Sequence, residues 1–368
     1  MALRFHWRLP QGGERAGGSR AFLASLPETG LPELEAQTYF CRMAEENGID
    51  SLLTDFGWAK PDSILLSAAL GMATTKIKFI VAYRSGLMSP TTFVQQLNTL
   101  SALTNGRFSL NIVAGHSPQE QRYFGDFLPH DERYERTEEF LAVCHAFWRR
   151  DGEVDFKGRY YRIENGKLNT PFVSPERPSP EIYIAGNSPQ AMRVTLSQGT
   201  CWMRIADAPE RMRSEIQPVL EQGKEIGIRL SVIARPTREE AVRAAYTLIE
   251  GTGMGFDDRG KEKEFAQKSD SFSINATYRL ADTEWLTPWL WTGAVRSHGA
   301  PAIAMVGTPE EIASALMEYR SIGVSQFILS GWPKIEEMIY FGREVIPRVR
   351  KIEQGHEAAV YRRGKFTK

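Results

Sequence analysis

The sequence has few cysteines, no clustered histidines and no spacing typical of a metal site. Only Cys41, Cys144 and Cys201 occur in 368 residues, and none of them forms a CxxC or CxxxC pair. This excludes a disulfide framework and argues against a structural zinc site. The six histidines are scattered singly along the chain. We therefore expect no metal, because catalytic metal sites need grouped histidine and carboxylate ligands.

The sequence also lacks long apolar runs and an excess of charge of either sign. The N-terminal stretch has no apolar core of a signal peptide, and no segment approaches about 18 uninterrupted apolar residues. We predict a cytoplasmic protein with no membrane span. With 45 basic and 45 acidic residues and a pI near 7.0, no global field attracts nucleic acid or an anionic membrane. A small-molecule site fits these properties better.

Short β-rich runs alternate with longer helical patterns along the whole chain. Eight such runs are predicted as strands, at residues 4–9, 50–56, 78–84, 107–115, 181–186, 200–205, 229–234 and 325–331. Several are almost continuously apolar, as in parallel strands that are covered on both faces. Eight βα units predict an α/β fold of the (β/α)8 TIM-barrel type. An open doubly wound sheet is the alternative, although no GxGxxG turn follows the first run.

Two interruptions of this alternation predict insertions into a single barrel domain at residues 1–350. Residues 151–180 have the pattern of an exposed hairpin. Residues 251–300, after the seventh strand, contain no clear barrel strand and are long enough to form a lid. Residues 351–368 are predicted to form a C-terminal tail.

In a TIM barrel, the chemistry takes place at the C-terminal ends of the strands. The predicted ends carry aromatic residues, arginines and small polar residues, with no GxSxG nucleophile motif. Gly186, Asn187 and Ser188 precede a helix that begins near Pro189, which is the pattern of either an ordinary N-cap or a phosphate-binding cradle. A metal-free mouth rich in aromatic residues indicates an organic cofactor, and a flavin fits.

Several motifs at these positions resemble the bacterial luciferase-like flavin-dependent monooxygenases, and among them the alkanesulfonate monooxygenase branch. The resemblance covers almost the whole chain. The motifs are HWRLP at 6–10, VAYR and SPT within 81–107, LTNGR at 103–107, HDERYE at 130–135, YIAGNS at 183–188 and SGWP at 330–333.

The resemblance implies a two-component reaction. A separate NAD(P)H-dependent flavin reductase supplies reduced FMN (FMNH2), O2 adds to flavin C4a, and the peroxide oxygenates a small, anionic organic or organosulfur substrate. It also implies a homo-oligomer, either a dimer or a tetramer. The residues implied to bind the cofactor are Ala82 and Tyr83 beside the isoalloxazine ring, Asn111 at the ring edge, His130 and Tyr134 near the tail, and Gly186, Asn187 and Ser188 around the phosphate.

The implied substrate side keeps two arginines and loses two titratable groups. Arg229 and Arg296 match anion-handling arginines of the alkanesulfonate branch, and a guanidinium can bind a sulfonate or carboxylate as a fork. Ser231 replaces a histidine of that branch, and Trp332 replaces a tyrosine. His6 is a candidate for proton transfer, or else a hydrogen-bonded rim histidine.

These differences predict the same oxygen-activating chemistry on an altered substrate. Desulfonation, sulfone cleavage, hydroxylation and Baeyer–Villiger insertion stay open as reaction types. A deazaflavin-dependent oxidoreductase on the same barrel and a non-catalytic flavin-binding protein are the alternative functions.

Overall fold

Eight parallel strands close into a barrel in the computed structural model of the protein, which describes residues 2–11, 31–250 and 269–365. The strands in chain order are β1 Arg4–Arg8, β2 Ser51–Thr54, β3 Lys78–Arg84, β4 Phe108–Val113, β5 Val154–Lys157, β6 Arg162–Gly166, β7 Ile182–Ala185, β8 Cys201–Ile205, β9 Glu225–Ala234, β10 Leu290–Trp291, β11 Ala304–Gly307 and β12 Val324–Gly331. The barrel order is β1-β2-β3-β4-β7-β8-β9-β12, and β12 pairs with β1 to close it. This confirms the predicted (β/α)8 fold.

Helices follow most barrel strands and cover the outside. They are α1 Leu34–Glu46, α2 Ser63–Met72, α3 Pro90–Thr104, α4 Pro118–Tyr123, α5 His130–Arg149, α6 Pro189–Gln198, α7 Pro209–Glu221, α8 Arg238–Glu250, α9 Phe272–Leu280, α10 Val295–His298, α11 Pro309–Ser321, α12 Lys334–Tyr340 and α13 Ile346–Lys365. A 3-10 turn at Ala300–Ala302 and a π-helical turn at Phe341–Val345 complete the regular structure. No helix in the described ranges is long and apolar enough to cross a bilayer.

Each strand directs alternate side chains to the barrel interior and to the helices. On β3, Ile80 and Ala82 belong to the interior cluster, whereas Phe79, Val81 and Tyr83 pack against the helical layer. Because both faces of β3 are buried, its residues 79–83 are apolar on both, as the sequence indicated. The same alternation decides which residues near the C-terminal ends can reach the mouth.

Strand β9 is longer than predicted and has two successive neighbours on the side that faces away from β12. It begins at Glu225 instead of residue 229, and its first half pairs with β8. Its second half, Ser231 to Ala234, pairs with β11, which the sequence did not predict. The sheet therefore continues above the barrel, where Ile233, Val306 and Trp291 form a second apolar cluster with α8.

The two predicted insertions differ in how much of them is described. Residues 151–180 contain the antiparallel hairpin β5–β6, as expected. Of the predicted lid at 251–300, residues 251–268 lie outside the described residues, and the remainder contains α9, β10 and α10. Helix α13 runs across residue 350, where the C-terminal tail was predicted to begin. The domain limits stay a prediction.

Candidate cofactor site and barrel mouth

The loop between β7 and α6 forms a cradle closed by a tyrosine. Gly186 has φ 133°, which favours glycine, and a Cβ there would lie 2.6 Å from Tyr134 Oη. Tyr134 Oη donates to Ala185 O at 3.2 Å, and burial raises its pKa to about 12. Ser188 caps α6, because its Oγ accepts from Ala191 N at 3.2 Å. The structure thus brings the predicted residues Gly186, Ser188 and Tyr134 together.

Asn187, the middle residue of the cradle, is used to hold the loop in place. Its Oδ1 accepts from Ile205 N at 3.1 Å, which ties the end of β7 to the end of β8. Its backbone N–H donates to Ser273 Oγ on α9 at 2.7 Å. Its expected contact with a phosphate stays a prediction that these bonds do not support.

A cavity of about 520 Å³ lies directly over the cradle. It is lined by His130, Asp131, Ser188, Pro189, Gln190, Asp270, Phe272, Asn275 and Arg279. His130 bonds to Asp131 Oδ1 at 2.7 Å, and this bond lowers the pKa of the carboxyl group. The sequence did not point to Arg279, because it lies on α9 in the predicted lid. It adds a cation to the lining opposite the start of α6.

The predicted ring-binding residues lie on β3 and β4. Ala82 pairs with Asn111 in the parallel ladder, and Ala82 faces the interior. Asn111 is buried, and its Oδ1 has no hydrogen-bond partner within the described part of the chain. Tyr83 points the other way and contacts Phe93 at a ring distance of 4.6 Å. Only the backbone of Tyr83 is therefore available to a ring in the mouth.

Arg84, at the end of β3, is a buried cation for which the sequence gave no role. Its Nη2 pairs with Glu120 Oε2 on α4 at 2.8 Å. Its guanidinium carbon lies 5.0 Å from the ring centre of Phe56 and 5.6 Å from that of Phe124. These contacts fix the guanidinium in one orientation.

Arg229 lies at the mouth and shares a carboxylate with a second arginine. Its Nη1 lies 3.4 Å from Asp55 Oδ1, and Arg8 Nε pairs with Asp55 Oδ2. Gln11 holds the backbone of Asp55 from both sides, accepting from its N–H at 2.7 Å and donating to its carbonyl at 3.1 Å. Arg296 lies on α10, is buried, and donates to Asp282 Oδ1 at 2.9 Å. Both predicted arginines therefore have acidic partners.

Ser231 and Trp332, the two substitutions noted in the sequence, lie in different environments. Ser231 is fully buried, and its Oγ bonds Pro301 O and Ser330 Oγ, both at 2.9 Å. It fastens β9 to β12 and to the turn at Ala300–Ala302. Trp332 is half-buried, and its ring lies edge-on to His298 with centroids 5.4 Å apart. Burial lowers the pKa of His298, which the sequence did not single out, to about 4.

His6 lies towards the end of the barrel where the strands begin, away from the mouth. Its Nε2 bonds Gln326 Oε1 at 3.0 Å, and it lines a cavity of about 70 Å³ with residues that begin strands, such as Arg4 and Lys78. Burial lowers its pKa to about 4. Because the interior positions of β1 alternate, Arg8 reaches the mouth and His6 does not. The role of His6 in proton transfer stays a prediction, which its position away from the mouth does not support. Across the described ranges, no three His, Cys, Asp or Glu side chains group as metal ligands.

Comparison with known proteins identifies the architecture. The family model described as luciferase-like monooxygenase matches residues 5–326. A riboflavin lyase, solved with modified FMN and riboflavin, superposes with a TM-score of 0.75 at 20% identity, covering 96% of this chain and 92% of that one. An EDTA monooxygenase from Chelativorans sp. BNC1 gives 0.74 at 19%, covering 95% and 94%. A coenzyme F420-dependent tetrahydromethanopterin reductase from Methanopyrus kandleri gives 0.66 at 15%, covering 95% and 100%.

Proposed function

The chain belongs to the luciferase-like monooxygenase family and is an oxidoreductase, and on that premise we propose that it uses FMNH2 and O2 to oxygenate a small anionic organic compound. The observation that carries the proposal is the cavity of about 520 Å³ over the cradle at the start of α6. A helix N-terminus with a serine cap favours an anion, since its N–H groups and dipole are directed at the ligand. Arg279 in the lining supports a phosphate monoester, although the carboxylates of Asp131 and Asp270 line the same cavity.

Residues near the cradle and on β4 support a flavin mononucleotide as the cofactor. Ser188 and Arg279 would hold the phosphate end, and Asn111 offers an unused buried acceptor where the ring would lie. When bound, the reduced flavin supplies the electrons that activate O2. The protein binds and orients the ring and the substrate and keeps water out of the mouth.

Arginines at the mouth support an anionic substrate. Arg229 beside Asp55 and Arg296 beside Asp282 present guanidinium groups that can bind carboxylate or sulfonate in a fork. One structural neighbour is an EDTA monooxygenase by name, and EDTA is a polycarboxylate. Because the hydroxyl of Ser231 is engaged within the protein and Trp332 forms a wall, we propose a substrate other than that of the alkanesulfonate branch, with little acid–base catalysis by the chain.

The proposal includes a partner reductase and a homo-oligomer. Delivery of FMNH2 requires a separate NAD(P)H-dependent flavin reductase. Tyr39 on α1 and Leu65 and Met72 on α2 are large exposed apolar residues, and helices α1 and α2 contact each other. Exposed apolar residues on two neighbouring helices support a dimer or tetramer. Light scattering on the purified protein measures the oligomeric state directly.

Anaerobic titrations with FMNH2, reduced riboflavin, oxidised FMN and reduced F420 test the cofactor. We expect FMNH2 to bind most tightly, because riboflavin lacks the phosphate. Arg279→Ala and Ser188→Ala should each weaken FMNH2 binding about tenfold, the effect of about 1.4 kcal/mol, while riboflavin binding stays unchanged. Arg213→Ala, an exposed arginine on α7, is the matched control.

Turnover then tests the substrate class. The protein, a flavin reductase and isotopically labelled O2 are incubated with sulfonates, sulfones and carboxylates, and incorporation of labelled oxygen into products is measured. Tighter binding of F420 than of FMNH2 would overturn the cofactor assignment. Binding of FMNH2 without any labelled product from anionic compounds would overturn the substrate class.

A further inference from the structure

Two buried polar groups at the barrel mouth have hydrogen-bonding capacity that the described protein leaves unused. Asn111 is 6% exposed, and its Oδ1 has no partner in residues 2–11, 31–250 or 269–365. Arg84 is 4% exposed, and its Nε and Nη1 likewise have none in those ranges. Buried polar groups in native proteins are almost always hydrogen-bonded, so each exception calls for an explanation. A ligand that supplies one donor and one or two acceptors would satisfy both groups.

The two residues lie on the same face of neighbouring strands. Ile80 and Ala82 face the barrel interior. Because side chains alternate along a strand, the Cβ of Arg84, two residues further along β3, lies on the same face. Ala82 pairs with Asn111 in the ladder, which puts the Cα atoms of Arg84 and Asn111 roughly 8 Å apart by strand geometry. The acceptor of Asn111 and the donors of Arg84 therefore belong to neighbouring strands near the C-terminal end of the barrel.

The guanidinium of Arg84 is held so that its remaining donors keep one direction. Arg84 Nη2 forms an ion pair with Glu120 Oε2, and Glu120 Oε1 accepts a hydrogen bond from Trp58 N at 3.0 Å. Phe56 and Phe124 contact the guanidinium group. Both oxygens of Glu120 are thus engaged, and the positive end of the ion pair carries the free N–H groups.

We propose that Arg84 joins Asn111, for which the family resemblance already implies a contact with the ring edge, in binding the pyrimidine edge of the flavin, and that Arg84 makes the protein prefer the reduced, anionic ring to the oxidised one. That edge presents an N–H between two carbonyl oxygens, which matches one acceptor beside a donor pair. The reduced ring loses a proton near neutral pH and places negative charge on this edge, whereas the oxidised ring is neutral there. A buried guanidinium therefore stabilises the reduced form selectively. The inference rests on the proposed flavin cofactor.

The test compares the dissociation constants of FMN and FMNH2, together with the midpoint potential of the bound flavin. Arg84→Gln should lower the dissociation constant of FMN divided by that of FMNH2 about tenfold. This equals a fall of about 30 mV in the two-electron midpoint potential of the bound flavin. Arg84→Lys keeps the charge and should retain most of the preference with weaker binding of both forms. Asn111→Ala should weaken both forms by a similar factor and leave the potential unchanged.

Glu120→Gln is the opposite perturbation on the same pair. It removes the negative partner while an amide oxygen can still accept a hydrogen bond, so the preference for the reduced ring should increase. Far-ultraviolet circular dichroism and thermal unfolding check that each variant is folded. If Arg84→Gln does not fold, Glu120→Gln carries the test, because an unchanged preference in that variant would refute the role of Arg84.

The outcomes separate this inference from the proposed function. If the parent protein binds no FMNH2, the proposed function fails. If the parent binds FMNH2 and the ratio and potential do not change in Arg84→Gln, the role of Arg84 is refuted. If Arg84→Gln binds both flavin forms like the parent and instead raises the KM for an anionic substrate, Arg84 contacts substrate and the inference is overturned.

Discussion

Replacement of Gly186 by alanine tests whether the cradle has the geometry that the structure gives it. The new Cβ would lie 2.6 Å from Tyr134 Oη and 3.2 Å from Ala191 Cβ. The backbone would also have to keep φ 133°, which L residues rarely adopt. We expect this one methyl group, placed in the loop before α6, to lower both the free energy of unfolding and the affinity for the phosphate of the cofactor.

The size of the effect follows from these contacts. A non-glycine residue in such a backbone conformation costs about 1–3 kcal/mol. Displacement of Tyr134 Oη breaks its bond to Ala185 O, which adds about 1 kcal/mol. Gly186→Ala should therefore destabilise the protein by about 2–4 kcal/mol. Tyr134→Phe alone should cost about 1 kcal/mol, for the same lost bond.

The double variant gives the sharpest test, because Tyr134→Phe removes the atom that the new methyl group would meet. The double variant should cost about 1 kcal/mol less than the sum of the single variants. Urea unfolding measures the free energies, and titration with FMN and riboflavin measures binding. FMN affinity should fall in Gly186→Ala, and riboflavin affinity should change less. Additive free energies, or a Gly186→Ala variant as stable as the parent, would refute the reasoning.

Three further predictions address stability and the mouth. Buried His6 has a pKa of about 4 in the folded protein, below the ordinary value of 6.5, so the unfolded chain binds more protons between these pH values. Acidification from pH 6.5 to 4 should therefore lower the free energy of unfolding by up to about 3 kcal/mol. In urea unfolding at several pH values, His6→Gln should flatten that part of the stability profile. Glu337→Gln breaks the 2.6 Å ion pair with Arg235, whose other nitrogen donates to the backbone carbonyl of Trp332. The free energy of unfolding should fall by about 1–3 kcal/mol. The KM for substrate should rise, and the affinity for FMN should stay unchanged. Gly342→Ala, whose Cβ would lie 2.3 Å from a backbone oxygen, should lower the urea midpoint, whereas Gly355→Ala, with nothing within 4 Å, should raise it by the equivalent of about 0.5–1 kcal/mol.

The barrel could be predicted from sequence because its signal is local and repeated. Each barrel strand is an apolar run followed by a helical pattern, and eight of them leave few alternatives. Strand β11, Ala304–Gly307, was missed because it lies outside the eight repeated units and follows the 3-10 turn at Ala300–Ala302 almost directly. Its pairing with the second half of β9 depends on β8 ending early, which no short window of sequence shows.

The site was predictable in part, for a different reason. The cradle is contiguous in sequence, so Gly186 and Ser188 could be found from their spacing before a helix. The depth of His6 in the barrel could not be predicted, because alternation along a strand gives only the face on which a residue lies. The buried pair of Arg84 with Glu120 joins residues 36 positions apart, and Arg279 reaches the cradle from the predicted lid. Such meetings are products of the tertiary fold.

The arginines near the mouth are all paired with carboxylates, which affects how they could bind an anionic ligand. Each has a carboxylate partner: Arg84 with Glu120, Arg229 with Asp55, and Arg296 with Asp282. A paired guanidinium is already held in one orientation, so less side-chain entropy is lost when it binds an anion. It also exerts a weaker long-range field, in keeping with a chain of 45 basic and 45 acidic residues. In the proposed function, recognition at the mouth would therefore depend on short-range hydrogen-bond geometry, as expected of an enzyme that positions a ring and a substrate away from water.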